Sequence, residues 1–300
     1  MTRPEPRYTP VDRGPQRAAG GAGGEPVDLT ATSGSAQRQR IADYTFVRFL
    51  GEGNYGAYYL AVAPPRLPTE AEHVAVKVLT GATGEDALRR MAKELGVFAS
   101  VQSRHLVTLL DAGQEGSTCY YAMQFYPDGS LAAPAASLSR ADVRRAVAEA
   151  ALGAHALHEA GIVHRDIKPG NVLLAPDGAK LSDLGLAQVL SPGQTMTGMG
   201  PIGSVEYMDP DIIRGGRASR ASDVWALGVT LHRAVSGRSV YGELPERDSL
   251  LALRHVLKTT PRLDPSLSEG EAQVVAACLN PDPARRPATA EVVADRLAAL

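Results

Sequence analysis

Strand-forming and helix-forming residues are segregated along this chain, and the segregation limits the folds open to it. From Ile41 to Tyr126 the runs YTFVRFL, YYLAV, HVAVKVL, LVTLLDAG and CYYAMQFY gather β-branched and aromatic residues between Gly and Pro breaks, as strands do. One interruption, residues 85–101, sets Leu88, Met91, Leu95 and Phe98 at helical spacing and predicts a single amphipathic helix. After Pro127, Asp128 and Gly129 the pattern turns helical, beginning with a segment opened by Ser139 as a cap and closed by Gly161. Within the helical part, NVLLAP and AKLSDLG flank an Asp177-Gly178 turn and predict a short hairpin. Strands followed by helices make an α+β chain: a β-rich lobe of roughly 80 residues joined to a mainly helical lobe roughly twice that size.

Residues 1–40 read differently. Pro4, Pro6, Pro10, Pro15 and Pro26, with Gly20, Gly21, Gly23 and Gly24 and few large apolar side chains, predict a disordered tail ahead of a domain over 41–300. The whole chain carries 31 Lys and Arg against 33 Asp and Glu, a net charge of −2. That balance lacks the basic field that phosphate-backbone binding needs, so no nucleic-acid partner is expected. Cys119 and Cys278 are the only cysteines, too few for a disulfide framework, which points to a reducing, cytoplasmic setting. The N-terminus has no signal-like apolar run and no stretch stays apolar for the ~20 residues of a membrane span, so no membrane partner is expected either.

Two motifs suggest phosphate chemistry. Gly51-Glu52-Gly53-Asn54-Tyr55-Gly56 fits G-x-G-x-x-G, a pattern shared by dinucleotide-binding folds and by kinases. In a dinucleotide fold the third glycine opens a helix, whereas here Ala57-Tyr58-Tyr59-Leu60-Ala61-Val62 follows, which is a strand. The motif is therefore a hairpin whose small residues let backbone amides approach phosphates. Next, Val74-Ala75-Val76-Lys77-Val78 puts a lysine in an apolar strand, where a buried ammonium needs a counter-charge. Glu94, on the predicted helix, is the expected partner.

The segment Ile162-Val163-His164-Arg165-Asp166-Ile167-Lys168-Pro169-Gly170-Asn171-Val172-Leu173-Leu174 closely resembles the H-R-D-x-x-x-x-N catalytic loop of eukaryotic-type (Hanks-type) bacterial serine/threonine protein kinases. The resemblance covers about 44–300, with Pro281-Asp282-Pro283-Ala284-Arg285-Arg286-Pro287 similar to the closing region of those kinases. It implies a bilobal fold with a five-stranded sheet and one helix over about 44–125, a hinge at about 124–128 and a C-terminal lobe over 129–300. ATP would bind between the lobes, along Gly51, Glu52, Gly53, Asn54, Gly56, Tyr58, Ala75, Lys77 and Leu173, with Met123 as gatekeeper and Gln124 and Tyr126 at the adenine.

By the same resemblance Asp166 is the catalytic base, Lys168 and Lys77 serve the phosphates with Glu94 bracing Lys77, and Asn171 and Asp183 hold Mg2+, for which Mn2+ is a substitute. Lys168 two residues after the base resembles the serine/threonine-directed members, which makes protein Ser or Thr the expected acceptor. Asp223 would brace the catalytic loop. Residues 183–211 match the activation segment, where Ser191, Thr195 and Thr197 lie; a phosphate on Thr195 or Thr197 would pair with Arg165, so autophosphorylation is expected there. A homodimer for trans-autophosphorylation is a further expectation of the family. The chain stops directly after the closing helix, so the sensor domains and membrane spans that often follow such domains are expected to be absent.

Three positions depart from the family pattern. Tyr58 stands where Val usually covers the adenine, so its ring is expected to stack on the base or crowd it. Leu184 replaces Phe, a mild apolar exchange. Asp209-Pro210-Asp211 replaces A-P-E, so the carboxylate expected to reach Arg286 is a methylene shorter. A pseudokinase or nucleotide-binding scaffold is the rival reading, but Lys77, Glu94, Asp166, Asn171 and Asp183 are all retained, as catalysis requires. A metal hydrolase built on His155, His158 and His164 is less well supported, since the first pair are spaced i, i+3 on a helix and the third belongs to the catalytic loop.

Overall fold

The computed structural model describes residues 40–53, 56–79, 95–96, 98–183, 202–245 and 248–300. The expected tail up to residue 39, Asn54, Glu94, Leu184, Ser191, Thr195 and Thr197 lie outside the described residues.

The N-terminal lobe is an antiparallel sheet of β1 (Arg40–Ile41), β2 (Tyr44–Gly53), β3 (Gly56–Val62), β4 (His73–Leu79), β5 (Leu109–Glu115) and β6 (Thr118–Gln124), in the order β1-β2-β3-β4-β6-β5. It has one strand more than expected. That strand, β1, pairs Ile41 with Tyr44 and is too short to show any alternation in the sequence, yet both side chains are fully buried. Strand β4 alternates as a buried central strand should. Val74, Val76 and Val78 pack with Ile41, Tyr44, Ala61, Tyr120 and Ala122, while Ala75 and Leu79 join the other core on the opposite face. Lys77 shares that second face, and the register sets it between Tyr58 of β3 and Tyr121 of β6. Residues 95–96 and 98–100 of the predicted helix are helical, with Leu95 and Phe98 buried.

After the sheet come β7 (Gly129–Ser130) and β8 (Ala133–Pro134), which join β9 (Val172–Ala175) and β10 (Gly178–Leu181) in the order β10-β9-β7-β8. The β9–β10 hairpin was legible; β7 and β8 were not, because two-residue strands carry no periodicity. Gly129 is required at its turn, since it has φ of 82° and a Cβ there would stand 2.3 Å from the Ala133 carbonyl oxygen.

Helices α1 (Arg140–Glu159), α2 (Pro210–Ile213), α3 (Arg220–Ser236), α4 (Ser249–Lys258), α5 (Glu269–Cys278) and α6 (Ala290–Ala298) build the second lobe. Ser139 caps α1 in a reciprocal capping box with Asp142. The buried stripe of α1, with Ala146, Ala150, Ala151 and Ala154, is small enough for close packing against α3, α6 and β10. No described helix is long and apolar enough to cross a membrane.

Glu271 ties α5 to α1. Its fully buried carboxylate accepts from Arg140 Nε at 2.8 Å and Arg144 Nη1 at 3.2 Å, and from the Ser268 amide at 2.8 Å. The Arg140 hydrogen bonds, against the opposing effect of burial, hold the carboxyl at about 2, below its ordinary 4.5. Because the folded value is the lower one, this stabilisation is complete above about pH 4.5 and is lost as pH falls toward 2. Glu271→Gln is expected to cost about 3 kcal/mol at neutral pH, shrinking on acidification, in urea unfolding followed by circular dichroism. A cost that stays constant down to low pH would contradict this assignment.

Candidate active site

The catalytic-loop segment hangs from Asp223 near the start of α3. Asp223 is almost fully buried. One of its oxygens accepts the His164 amide at 2.7 Å and meets His158 Nε2 at 2.8 Å, while the other accepts the Arg165 amide at 2.9 Å. Arg165 has φ of 71°, a costly backbone for a residue with a Cβ, and this anchoring offsets it. The buried His164 ring is neutral, since burial pushes its pKa down against the pull of Asp223. Its Nδ1 accepts the Asp166 amide at 3.3 Å, so Nε2 carries the proton and donates to the Ser182 carbonyl at 2.9 Å. The loop is thereby stitched to the residue preceding Asp183.

Around Asp166 the donors converge. Lys168 Nζ reaches its two carboxylate oxygens at 3.1 and 2.8 Å and the Ser204 hydroxyl at 3.0 Å. Asn171, at the end of the 3-10 turn Pro169–Asn171, donates Nδ2 to the Asp166 carbonyl at 2.7 Å and to its carboxylate at 3.0 Å. Committing the amide nitrogen leaves the Asn171 carboxamide oxygen for a cation.

Asp183 follows β10 with φ of 58°, a second strained position. Lys77 Nζ donates to its Oδ1 at 3.0 Å, and both side chains are nearly buried. Two phenols complete the shell: Tyr121 donates to Oδ1 at 2.5 Å, and Tyr58 donates to Oδ2. Burial alone would raise the Asp183 pKa, but the Lys77 charge and the phenol hydrogen bonds prevail and hold it below the ordinary range. Burial, then the Asp183 charge, pushes both phenols well above theirs, so they remain donors.

A cleft of about 690 Å³ reaches Asn171, Lys168 and Asp183, while Asp166 and Lys77 are not among its lining residues and meet it through these partners. Of the residues assigned from sequence, Gly51, Glu52, Gly53, Tyr58, Ala75, Met123, Gln124, Tyr126 and Leu173 line it, together with Lys168, Asn171 and Asp183. Gly56 has a packing reason of its own, since a Cβ there would lie 2.2 Å from the Val78 carbonyl oxygen. The Tyr58 ring lies in the cleft lining, 4.7 Å from Lys77 Nζ, and its hydroxyl meets Asp183. With Glu94 outside the described residues, the carboxylate seen on Lys77 is Asp183.

The Arg286 expectation needs correcting. The carboxylate that reaches Arg286 is Asp209, at 2.5 and 3.3 Å, with both side chains buried. Asp211 pairs with Arg214 at the surface instead. Helix α2 explains the exchange: Asp209 is its N-cap and turns inward, accepting the Asp211 amide at 3.0 Å, while Asp211 lies on the exposed first turn. Arg286 also donates to the Ala221 and Asn280 carbonyls at 2.9 Å each and lies over the Trp225 ring.

The histidine-based metal site is not formed. His158 is bound to Asp223, His155 lies 3.6 Å from Glu291, and among the described residues no cluster of three or more His, Cys, Asp or Glu side chains is arranged to hold a metal. Tyr121 and Ser204 are site residues that sequence reasoning missed, and His158, weighed there as a metal ligand, instead meets Asp223. The β4–β6 register was the signal for Tyr121; a tyrosine two residues before the expected gatekeeper, on the Lys77 face, would have revealed it.

Two lobes, a cleft between them and a loop braced in this way define a protein kinase domain. A protein kinase domain model matches residues 44–297, and the chain belongs to that family. It is 32% identical over 260 residues to a probable serine/threonine-protein kinase, PkwA, of Thermomonospora curvata, covering 85% of this chain and 34% of that protein. It is 31% identical over 269 residues to the serine/threonine-protein kinase PknA of Mycobacterium tuberculosis, covering 86% and 61%, and 30% identical over 260 residues to PrkC of Bacillus subtilis, covering 83% and 39%. The chain thus spans about a third to three fifths of the length of these curated relatives.

Proposed function

We propose that this domain transfers the γ-phosphoryl group of ATP to Ser or Thr hydroxyls of proteins. The observation that carries the reading is the paired geometry along one cleft: Lys168 and Asn171 hold Asp166, and Lys77 holds Asp183. Asp166 accepts the proton as the acceptor oxygen bonds to the γ-phosphorus. The bond from that phosphorus to the β–γ bridging oxygen breaks, and ADP leaves with the bridging oxygen. Lys168 neutralises the phosphoryl oxygens beside Asp166, and Lys77 the phosphates further in.

The donor set suits a hard divalent cation, because an amide oxygen and a carboxylate are oxygen ligands and neither is a thiolate or imidazole. Asn171 and Asp183 would hold Mg2+, or Mn2+ in its place, which supplies charge neutralisation on the β- and γ-phosphates. Gly51, with φ of 153° and open space where a Cβ would stand, lets backbone amides of the hairpin approach phosphates, while Gly53 makes room for the Tyr58 ring, which a Cβ would meet at 2.7 Å. Gln124 and Tyr126 receive the adenine beside Met123.

The buried free thiols Cys119 and Cys278, the latter pushed up to about 12 by burial, suit a reducing, cytoplasmic setting. Trans-autophosphorylation of Thr195 or Thr197 within a homodimer is part of the same reading. After incubation with Mg2+ and ATP, mass spectrometry should find phosphate on one of these threonines, and active enzyme bare at both would contradict it. The function itself is tested by label transfer from γ-labelled ATP to a protein acceptor. Phosphoserine or phosphothreonine is expected; nucleotide binding without any transfer would favour the scaffold reading.

A further inference from the structure

The phenols on Asp183 take no part in the transfer as written, yet they occupy its carboxylate on both sides. The register lays Tyr58, Lys77 and Tyr121 in one row across three strands, and Asp183 reaches that row from β10. The two oxygens of Asp183 are not equivalent. Oδ1 takes Lys77 and Tyr121, while Oδ2 takes Tyr58. The tyrosines differ as well. Tyr121 is 3% exposed in the middle of β6, whereas Tyr58 is only half-buried, follows the glycine hairpin and shares the cleft lining with Asp183. Oδ2 is thus covered by the one of the two tyrosines that lines the cleft.

We propose that Tyr121 and Tyr58 are opposed positioning residues for divalent-cation binding: Tyr121 fixes Asp183 for the cation, and the Tyr58 hydroxyl competes with it for Oδ2. Resting on the reading of Asp183 as a metal ligand, this makes cation binding and departure of the Tyr58 hydroxyl a single exchange. The cation must displace a charge-assisted hydrogen bond, so its affinity is set below what Asp183 would otherwise give.

Phenylalanine separates the two roles of each ring. It keeps the ring in the core and the cation–π contact with Lys77, and it removes only the hydroxyl. Titration of the full chain with Mn2+ in saturating ADP, reading free Mn2+ by electron paramagnetic resonance, gives cation affinity without any turnover. Tyr58→Phe is expected to bind Mn2+ about tenfold more tightly than wild type, and Tyr121→Phe about tenfold more weakly. A merely structural role would weaken both. Tyr58→Phe binding no tighter than wild type, or Tyr121→Phe no weaker, overturns the proposal. Asp183→Asn separates this failure from that of the underlying reading: unchanged Mn2+ affinity there removes Asp183 as a ligand, and the proposal with it. Should Tyr121→Phe melt below the assay temperature, Tyr58→Phe alone decides, because tighter binding is opposite in sign to lost structure.

Discussion

Asp166→Asn is expected to lower the rate constant for phosphoryl transfer by about 10²–10⁴ while leaving the Michaelis constant for ATP within about twofold, because a positioned general base acts on the acceptor hydroxyl and not on the nucleotide. The contacts around Asp166 explain the separation. Asn171 holds it through the backbone carbonyl as well as the carboxylate, so its placement survives the loss of charge. The Lys77–Asp183 pair, proposed to serve the nucleotide and cation, has its own hydrogen bonds and is left intact. Steady-state kinetics with varied ATP and a fixed protein acceptor reads both constants. A Michaelis constant that rises as far as the rate falls would mean that Asp166 serves nucleotide binding instead.

The second large effect is expected far from the chemistry. Removing one partner of the buried Asp209–Arg286 pair strands a charge, so Asp209→Ala and Arg286→Ala should each cost about 3–5 kcal/mol. Asp211→Ala, which loses only an exposed pair with Arg214, should cost less than about 1 kcal/mol. Denaturant unfolding at neutral pH measures all three. In the double variant the losses should fall well short of additive, because the two residues share one interaction. A larger cost at Asp211 than at Asp209 would overturn the assignment. Asp209 caps α2, at the end of the stretch expected from sequence to be the activation segment, so its variant is also expected to raise the Michaelis constant for the protein acceptor.

The contrast between Asp209 and Asp211 shows where sequence reading stops. The spacing of Asp209-Pro210-Asp211 identified the segment, but only the cap geometry of α2 decides which carboxylate turns inward. The two-lobe division was legible because strand and helix periodicities occupy separate stretches. The β9–β10 hairpin after Asn171 was legible because the Asp177-Gly178 turn punctuates it, whereas the 3-10 turn Pro169–Asn171 was not read from the sequence. Strands β1, β7 and β8 were hidden because two residues cannot display a period of two. At the site, motifs named Lys77, Asp166, Asn171 and Asp183 one at a time. The Tyr58–Lys77–Tyr121 row is a property of register across three strands, and no single stretch of sequence holds it. Tyr58 was singled out as a departure from the family's Val beside the adenine, and the contact of its hydroxyl with Asp183 was not foreseen.

The most direct measurement is a crystal structure of the protein with a non-hydrolysable ATP analogue and Mg2+. It should show the cation on the Asn171 amide oxygen and the Asp183 carboxylate, Lys77 on a phosphate oxygen, and Asp166 open toward the acceptor side of the γ-phosphate. A cleft in which the tyrosine rings exclude the nucleotide, or one where these four groups point apart with the cation present, would contradict the account.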